Sequence, residues 1–194
     1  MKIYIVRHGN TLFNHLGRVQ GWCDSPLTPL GIQQAKELSE YFLSIPLAAG
    51  YHSGSERALD TLDLILNDRP VPRKRDKRLK EVYFGDLEGA RVKDLFPDGI
   101  AIPELFYQYG GEDRHHAALR FTEACKEMEQ NEKGDVLVVS HGSVIRQFLE
   151  ENSMSFFQMS KEIKVTRDLI PNCSVSVIEV QHGKIEVTAL PKIL

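Results

Sequence analysis

Two runs of apolar, β-branched residues, far apart in the chain, end in the same way. Residues 2–6 (KIYIV) read as a strand buried on both faces, and Arg7, His8 and Gly9 follow without a spacer. Residues 135–140 (DVLVVS) repeat the pattern, and His141-Gly142 follow at once. Between these runs the apolar period is helical. Thr28 is placed as an N-cap with Pro29 at the first helical position, and Leu38, Tyr41 and Phe42 recur at helical spacing along 29–44. A second helix is predicted over 56–67 from Leu59, Leu62, Ile65 and Leu66, a third over 113–131 and a fourth over 143–151. Residues 47–52 form a weaker strand candidate, because Ala48, Ala49 and Gly50 have poor β-propensity. Two further runs, 174–180 and 185–189, flank His182-Gly183, a hairpin signal that places an antiparallel pair at the end of the sheet. Residues 10–29 read as a polar loop with Trp22 as a local hydrophobic anchor, and 153–167 is ambiguous.

This pattern describes an open α/β sheet, in which ligands bind at the carboxyl ends of the strands. Both His-Gly turns sit at that edge. One histidine there reads first as a hydrogen-bonded structural residue; two identical strand endings weaken that reading.

The 194 residues suffice for one domain with a full core. A net charge of -3 argues against general nucleic-acid affinity, so an anionic ligand would have to be drawn by a few local arginines. The basic stretch 69–80 carries no interleaved aromatics and reads as a solvated connector. Cys23, Cys125 and Cys173 are too few and too scattered for a disulfide framework or a zinc cluster. No signal-peptide pattern or membrane-spanning apolar run is visible, so a cytoplasmic protein without membrane contact is expected. Residues 86–114 mix proline, glycine and aromatics, which suits a segment covering a pocket or ordinary aromatic packing. His115 and His116 are adjacent on a predicted helix and point about 100° apart, so they suit a surface or rim position and not one metal ion.

Strand ends and helix starts would assemble Arg7, His8, Arg57, Glu81, His141 and the amides after His141, which form an anion site at a helix N-terminus. Arg57 falls in a helix first turn, where a cation opposes the dipole, and this hints at an anionic partner. Two guanidiniums can hold a phosphate, a neutral imidazole can attack phosphorus, and a second can stabilise a phosphoryl oxygen. A carboxyl group raised by burial can protonate the leaving oxygen. The set suits phosphoryl transfer through a phosphohistidine. A metal site of two histidines and one carboxylate is the competing chemistry, opposed by the two arginines, and a catalytically dead binding module is the non-enzymatic alternative.

Five ordered blocks then resemble the histidine phosphatase superfamily in its phosphoglycerate-mutase-like branch. They are VRHGNT (residues 6–11) with Asn14 and RVQG (18–21); DSPLT (24–28) with GIQQA (31–35); SGSERA (53–58) with Thr61; LKE (79–81) with FGDLEG (84–89); and SHG (140–142), with NCS (172–174) at a late strand entry. The resemblance implies a mostly parallel sheet with one antiparallel edge and helices on both faces. It implies a single domain over 1–194, in which 86–116 is expected as a cover over the site from its proline, glycine and aromatic content. It implies His8 as the phosphorylated nucleophile, with Arg7, Arg57 and His141 as the phosphate pocket and the Gly142 amide contributing. Asn14, Gln20 and Gly21 would line the phosphate site, and Glu81 would be the proton donor. No metal or cofactor is implied. The expected partner is a small phosphorylated substrate, and the protein is expected as a monomer or homodimer. The expected activity is hydrolysis of small phosphomonoesters, with mutase-type return of the phosphoryl group as the alternative. Asn10 departs from the acidic residue usual after the Arg-His-Gly triplet, and the middle segment matches poorly.

Overall fold

Along β1 (Lys2–Arg7), successive residues bury into different cores. Ile3 and Ile5 join one apolar cluster with Phe121, Ile145 and Phe148; Tyr4 and Val6 join a second with Leu38, Phe42, Leu62 and Ile65. The strand β4 (Val136–Ser140) divides likewise, Val136 and Val138 to the first cluster and Leu137 and Val139 to the second. A strand with no polar face can only sit in the middle of a covered sheet, and that is where both lie. The computed structural model describes residues 1–95, 103–163 and 166–194.

The sheet has six strands in the order β3-β2-β4-β1-β5-β6, with β2 Ala49–His52, β3 Arg73–Arg75, β5 Val175–Gln181 and β6 Lys184–Lys192. Pairings among β3, β2, β4 and β1 are parallel; β5 is antiparallel to both β1 and β6. One face carries α2 (Pro29–Phe42) and α3 (Glu56–Leu66); the other carries α6 (Arg114–Asn131) and α7 (Gly142–Asn152). This is the mostly parallel α/β sheet anticipated, with β5 lying second from the edge and β6 outside it.

Three stretches differ from the expectation. The basic connector contains β3, whose charges find acids across the edge: Arg73 pairs with Asp63 at 2.9 Å and Lys74 with Glu132. The polar loop after Gly9 contains α1 (Leu12–His15), made possible by a capping box in which Thr11 and Asn14 bond each other's backbone amides. Residues 153–167 hold α8 (Met154–Glu162), capped by Ser153, and the start of α9 (Thr166–Leu169).

α2 starts as predicted, with Thr28 accepting from the Gly31 amide and Pro29 in the first turn. Its Gly31 lies directly on the turn after β1. A methyl group built on Gly31 would come 2.1 Å from the Asn10 carbonyl oxygen, and one on Gly9 would come 2.6 Å from that of Gly31. This backbone-on-backbone contact sets the direction in which the chain leaves β1.

Candidate active site

The parallel register pairs Val6 with Val139 and Arg7 with Ser140. One step further, His8 and His141 must emerge side by side, and their ring centroids are 5.3 Å apart. The His8 amide donates to the Ser140 carbonyl at 3.0 Å, which extends the ladder into the site.

His8 is buried, and its Nδ1 lies 2.8 Å from the Gly9 carbonyl. A carbonyl oxygen can only accept, so Nδ1 carries the proton and Nε2 keeps its lone pair. The Gly9 amide donates to the Thr61 hydroxyl (3.0 Å), which donates in turn to the Arg57 carbonyl (2.7 Å). The histidine turn is thereby tied to α3. Asn172 donates to the His8 carbonyl at 2.9 Å and to Asn14 Oδ1 at 3.2 Å.

The anionic partner anticipated for Arg57 is Asp24. Arg57 donates to Asp24 Oδ1 (2.8 Å) and to the carbonyls of Cys23 (3.0 Å) and Gly21 (2.8 Å), while Asp24 Oδ2 accepts from the Glu56 amide. A carboxylate at the head of α3 offsets the cation's conflict with the helix dipole. Arg7 is buried as well and donates to the Ile170 carbonyl at 2.6 Å.

Glu81 reaches α7 across the site. Its Oε1 accepts from the amides of Val82 and Val144, both at 2.8 Å, and its Oε2 from that of Ser143 at 2.9 Å. The expectation of open helix amides after His141 is corrected here: Ser143 and Val144 already serve Glu81, because a buried carboxylate needs donors as much as the helix start needs an acceptor.

The other sequence-predicted residues divide. Asn14 uses its carbonyl oxygen on the Thr11 amide and Asn172, at 3.2 Å each. Gln20 spans the loop, accepting from the Thr11 hydroxyl (2.7 Å) and donating to Ser25 (2.8 Å). Gly21 gives its carbonyl to Arg57 and its amide to Glu88. Gly142 opens α7. Asn10 turns toward α2, its side-chain oxygen accepting from the Thr28 hydroxyl at 2.8 Å. Trp22, expected as a hydrophobic anchor, is instead 48% exposed, with its indole N–H on the Glu81 carbonyl and Lys80 4.0 Å above its ring. Of the expected cover segment, 96–102 lies outside the described residues. The part after it is fastened next to Glu81: Phe106 packs on Phe84 at 4.5 Å, and Glu112 donates its amide to the Tyr83 carbonyl at 2.7 Å. His115 and His116 sit on the surface against Glu151 and Glu112 respectively, and among the described residues no cluster of three or more His, Cys, Asp or Glu could hold a metal ion.

Sequence reasoning gave no role to Ser53, Ser55, Asp24 or Asn172. Ser53 and Ser55 meet His141 Nε2 at 2.8 and 3.2 Å. Both stand in the block SGSERA (53–58) that carries Arg57.

Among the described residues, four buried side-chain polar atoms have no partner. Besides Ser174 Oγ, they are Nε of Arg7, Nε of Arg57 and Nδ1 of His141. Such groups are costly to bury unpaired, at about 1–3 kcal/mol each. Three of them belong to the residues grouped around His8, which points to an anion as the missing partner.

Burial and the two arginines hold the His8 imidazole well below its ordinary pKa, and burial, Arg57 and His8 do the same for His141. Both rings are therefore neutral near pH 7. Burial pushes the Glu81 carboxyl up, against the pull of its three amides and Arg57, and lowers Arg7 to about 10. A consequence follows for stability. Below the ordinary histidine pKa of 6.5, the unfolded chain binds protons at His8 and His141 that the native chain refuses. Each ring then removes up to about 1.4 kcal/mol of stability per pH unit as the pH falls. Glu81, raised by burial, acts with the opposite sign. Denaturant melts in phosphate-free buffer between about pH 5 and 7 are expected to show stability falling toward acid, with His8→Asn losing one ring's share of that slope.

The profile of the histidine phosphatase superfamily (branch 1) matches residues 3–192. The chain belongs to that superfamily. It is 34% identical over 164 residues to a 2,3-bisphosphoglycerate-dependent phosphoglycerate mutase of Gloeobacter violaceus, an alignment covering 77% of this chain and 74% of the relative. A Schizosaccharomyces pombe protein named as a probable phosphatase is 31% identical, with 94% and 89% covered. Among solved structures, Bacillus stearothermophilus YhfR superposes with a TM-score of 0.79 at 31% identity, over 97% of this chain and 95% of that one. A phosphoglycerate mutase from Bacillus anthracis gives 0.81 at 27% identity, over 98% and 92%. Superfamily membership supports an enzyme of the phosphatase and mutase type, and the relatives include both kinds.

Proposed function

We propose that this enzyme hydrolyses small phosphomonoesters through a phosphohistidine on His8. The observation that carries the reading is the set of unpartnered buried nitrogens on Arg7, Arg57 and His141 beside a histidine whose Nε2 lone pair is free. A phosphoryl group placed there gives each nitrogen an oxygen to bond. His8 Nε2 forms a bond to phosphorus while the ester oxygen departs with a proton from Glu81. Water then attacks the phosphohistidine, gives its proton back to Glu81 and releases inorganic phosphate with His8 restored. Of the Glu81 oxygens, Oε2 accepts one amide and Oε1 two, so Oε2 is the one assigned the proton. The pKa directions agree with these roles: His8 is lowered, toward a free base, and burial raises Glu81, toward an acid. The Asn14 amide nitrogen and the Gly142 amide are proposed to add donors, and the segment 86–116 to choose the substrate.

The mutase reading uses the same pocket and is favoured by the relatives named phosphoglycerate mutase. We read a cover of only 31 residues, 86–116, as favouring hydrolysis, because returning a phosphoryl group requires holding the intermediate away from water. Incubation with 3-phosphoglycerate, with and without its bisphosphate, separates them. Release of inorganic phosphate is expected; rapid isomerisation with negligible free phosphate would replace hydrolysis with the mutase.

A further inference from the structure

Ser55 stands at the N-cap of α3, a position where serine ordinarily accepts a bond from an amide one turn on. Here it makes no such bond. The Ala58 amide, one that such a cap would take, bonds the Ser55 carbonyl at 3.2 Å, Asp24 Oδ2 takes the Glu56 amide, and the Ser55 hydroxyl turns to Ser53 Oγ at 2.7 Å and to His141 Nε2 at 3.2 Å. Ser53 is fully buried, accepts from the Ser55 amide at 3.3 Å, and lies 2.8 Å from the same Nε2. Two hydroxyls thus converge on one ring nitrogen, while the other, Nδ1, is buried and has no protein partner.

We infer that Ser53 and Ser55 are positioning residues: the Ser55 hydroxyl donates to Ser53 Oγ, the Ser53 hydroxyl donates to His141 Nε2, and the pair so holds the proton of the neutral ring on Nδ1, where it serves as a hydrogen-bond donor to a phosphoryl oxygen. The inference rests on the proposed phosphoryl-transfer site. The opposite tautomer would aim the Nδ1 lone pair at an anion, lone pair against lone pair, and the buried nitrogen would repel the ligand it faces. Neutrality of the ring makes the choice of tautomer decisive, since an imidazolium would donate from both nitrogens. Ser53 Oγ receives both the Ser55 amide and the Ser55 hydroxyl, which fills its two lone pairs and leaves its own proton for Nε2. The Ser55 hydroxyl reinforces this by facing both Ser53 Oγ and Nε2.

The test is imidazole nitrogen NMR on the wild type, Ser53→Ala, Ser55→Ala and the double variant, paired with orthovanadate affinity. In the wild type, His141 is expected to show a protonated Nδ1 and a bare, hydrogen-bonded Nε2. The double variant should shift toward the Nε2-protonated tautomer and lose about 10- to 100-fold in vanadate affinity and kcat/KM, with Ser55→Ala losing about threefold. Ser55→Ala should melt like the wild type, because its hydroxyl caps nothing. A wild-type ring protonated on Nε2, or a double variant that keeps both the Nδ1 proton and its vanadate affinity, overturns the inference. Failure of the underlying site is told apart by the wild type alone, which would then neither turn over p-nitrophenyl phosphate nor bind vanadate. The wild-type spectrum decides the tautomer even if the double variant does not fold.

Discussion

His8→Ala is expected to lower turnover of any phosphomonoester by about 10⁴-fold or more and to abolish acid-labile phosphate on the protein. The only other imidazole in the pocket, His141, cannot take its place. Its Nε2 is engaged by two serines, and its Nδ1 is proposed to carry a proton. The arginines are cations and the Glu81 carboxylate is fastened to α7. The change should preserve the phosphate pocket, since Arg7, Arg57 and His141 each hold their place by other contacts. Vanadate or phosphate should still raise the melting temperature of His8→Ala while turnover is gone. Steady-state assay and a thermal shift on the same preparation check both halves. Retained turnover would remove His8 as nucleophile, and lost anion binding would mean the fold of the pocket depends on it.

The second large effect is expected from Glu81→Gln, and it should depend on the leaving group. An alkoxide leaves poorly without a proton, so alkyl phosphate hydrolysis should fall by about 10²- to 10⁴-fold. p-Nitrophenolate needs little protonation, so kcat/KM for its ester, which reports leaving-group departure and not the later water attack that also uses Glu81, should lose less than about tenfold, and kcat/KM is the quantity compared on both substrates. The variant should also be less stable. Oε1 accepts from two amides and can remain a carbonyl oxygen, but the amide NH₂ at the Oε2 position meets the Ser143 N–H, donor against donor. An unsatisfied pair of this kind costs about 1–3 kcal/mol. In the wild type, alkyl ester turnover should decline as the pH rises through the raised Glu81 pKa, and that basic limb should vanish in Glu81→Gln. Equal losses on both substrates would move the proton donor to another group.

The strands at the centre of the fold were legible because they are buried on both faces, which leaves an unbroken apolar run in the sequence. β1 and β4 were placed within a residue of their observed ends, and the His-Gly repeat anticipated that His8 and His141 emerge side by side. Edge elements were harder to read. β3 is Arg73-Lys74-Arg75, a sequence of solvent type, and it becomes a strand through pairing with β2 and acids on α3 and beyond α6. α1 hides in a polar loop because its start is stabilised by Thr11 and Asn14, residues that also favour turns. Within the site, residue types and spacing named the groups, but their partners lie far off in the chain. Glu81 meets Ser143 62 residues away, and Ser53 meets His141 across 88. Local pattern carries no trace of such contacts. Ser55 is the clearest case: by position it is a helix cap, yet its hydroxyl bonds no helix amide and meets Ser53 and His141.

The central claim is that phosphorus becomes bonded to His8 Nε2. Rapid acid-free quenching of a single turnover, followed by peptide mass spectrometry, measures it directly. One phosphoryl group is expected on the peptide containing His8, forming faster than phosphate is released and disappearing as it is released. Full turnover with no phosphorylated His8 at any time, or a phosphoryl group carried on another residue, would contradict it.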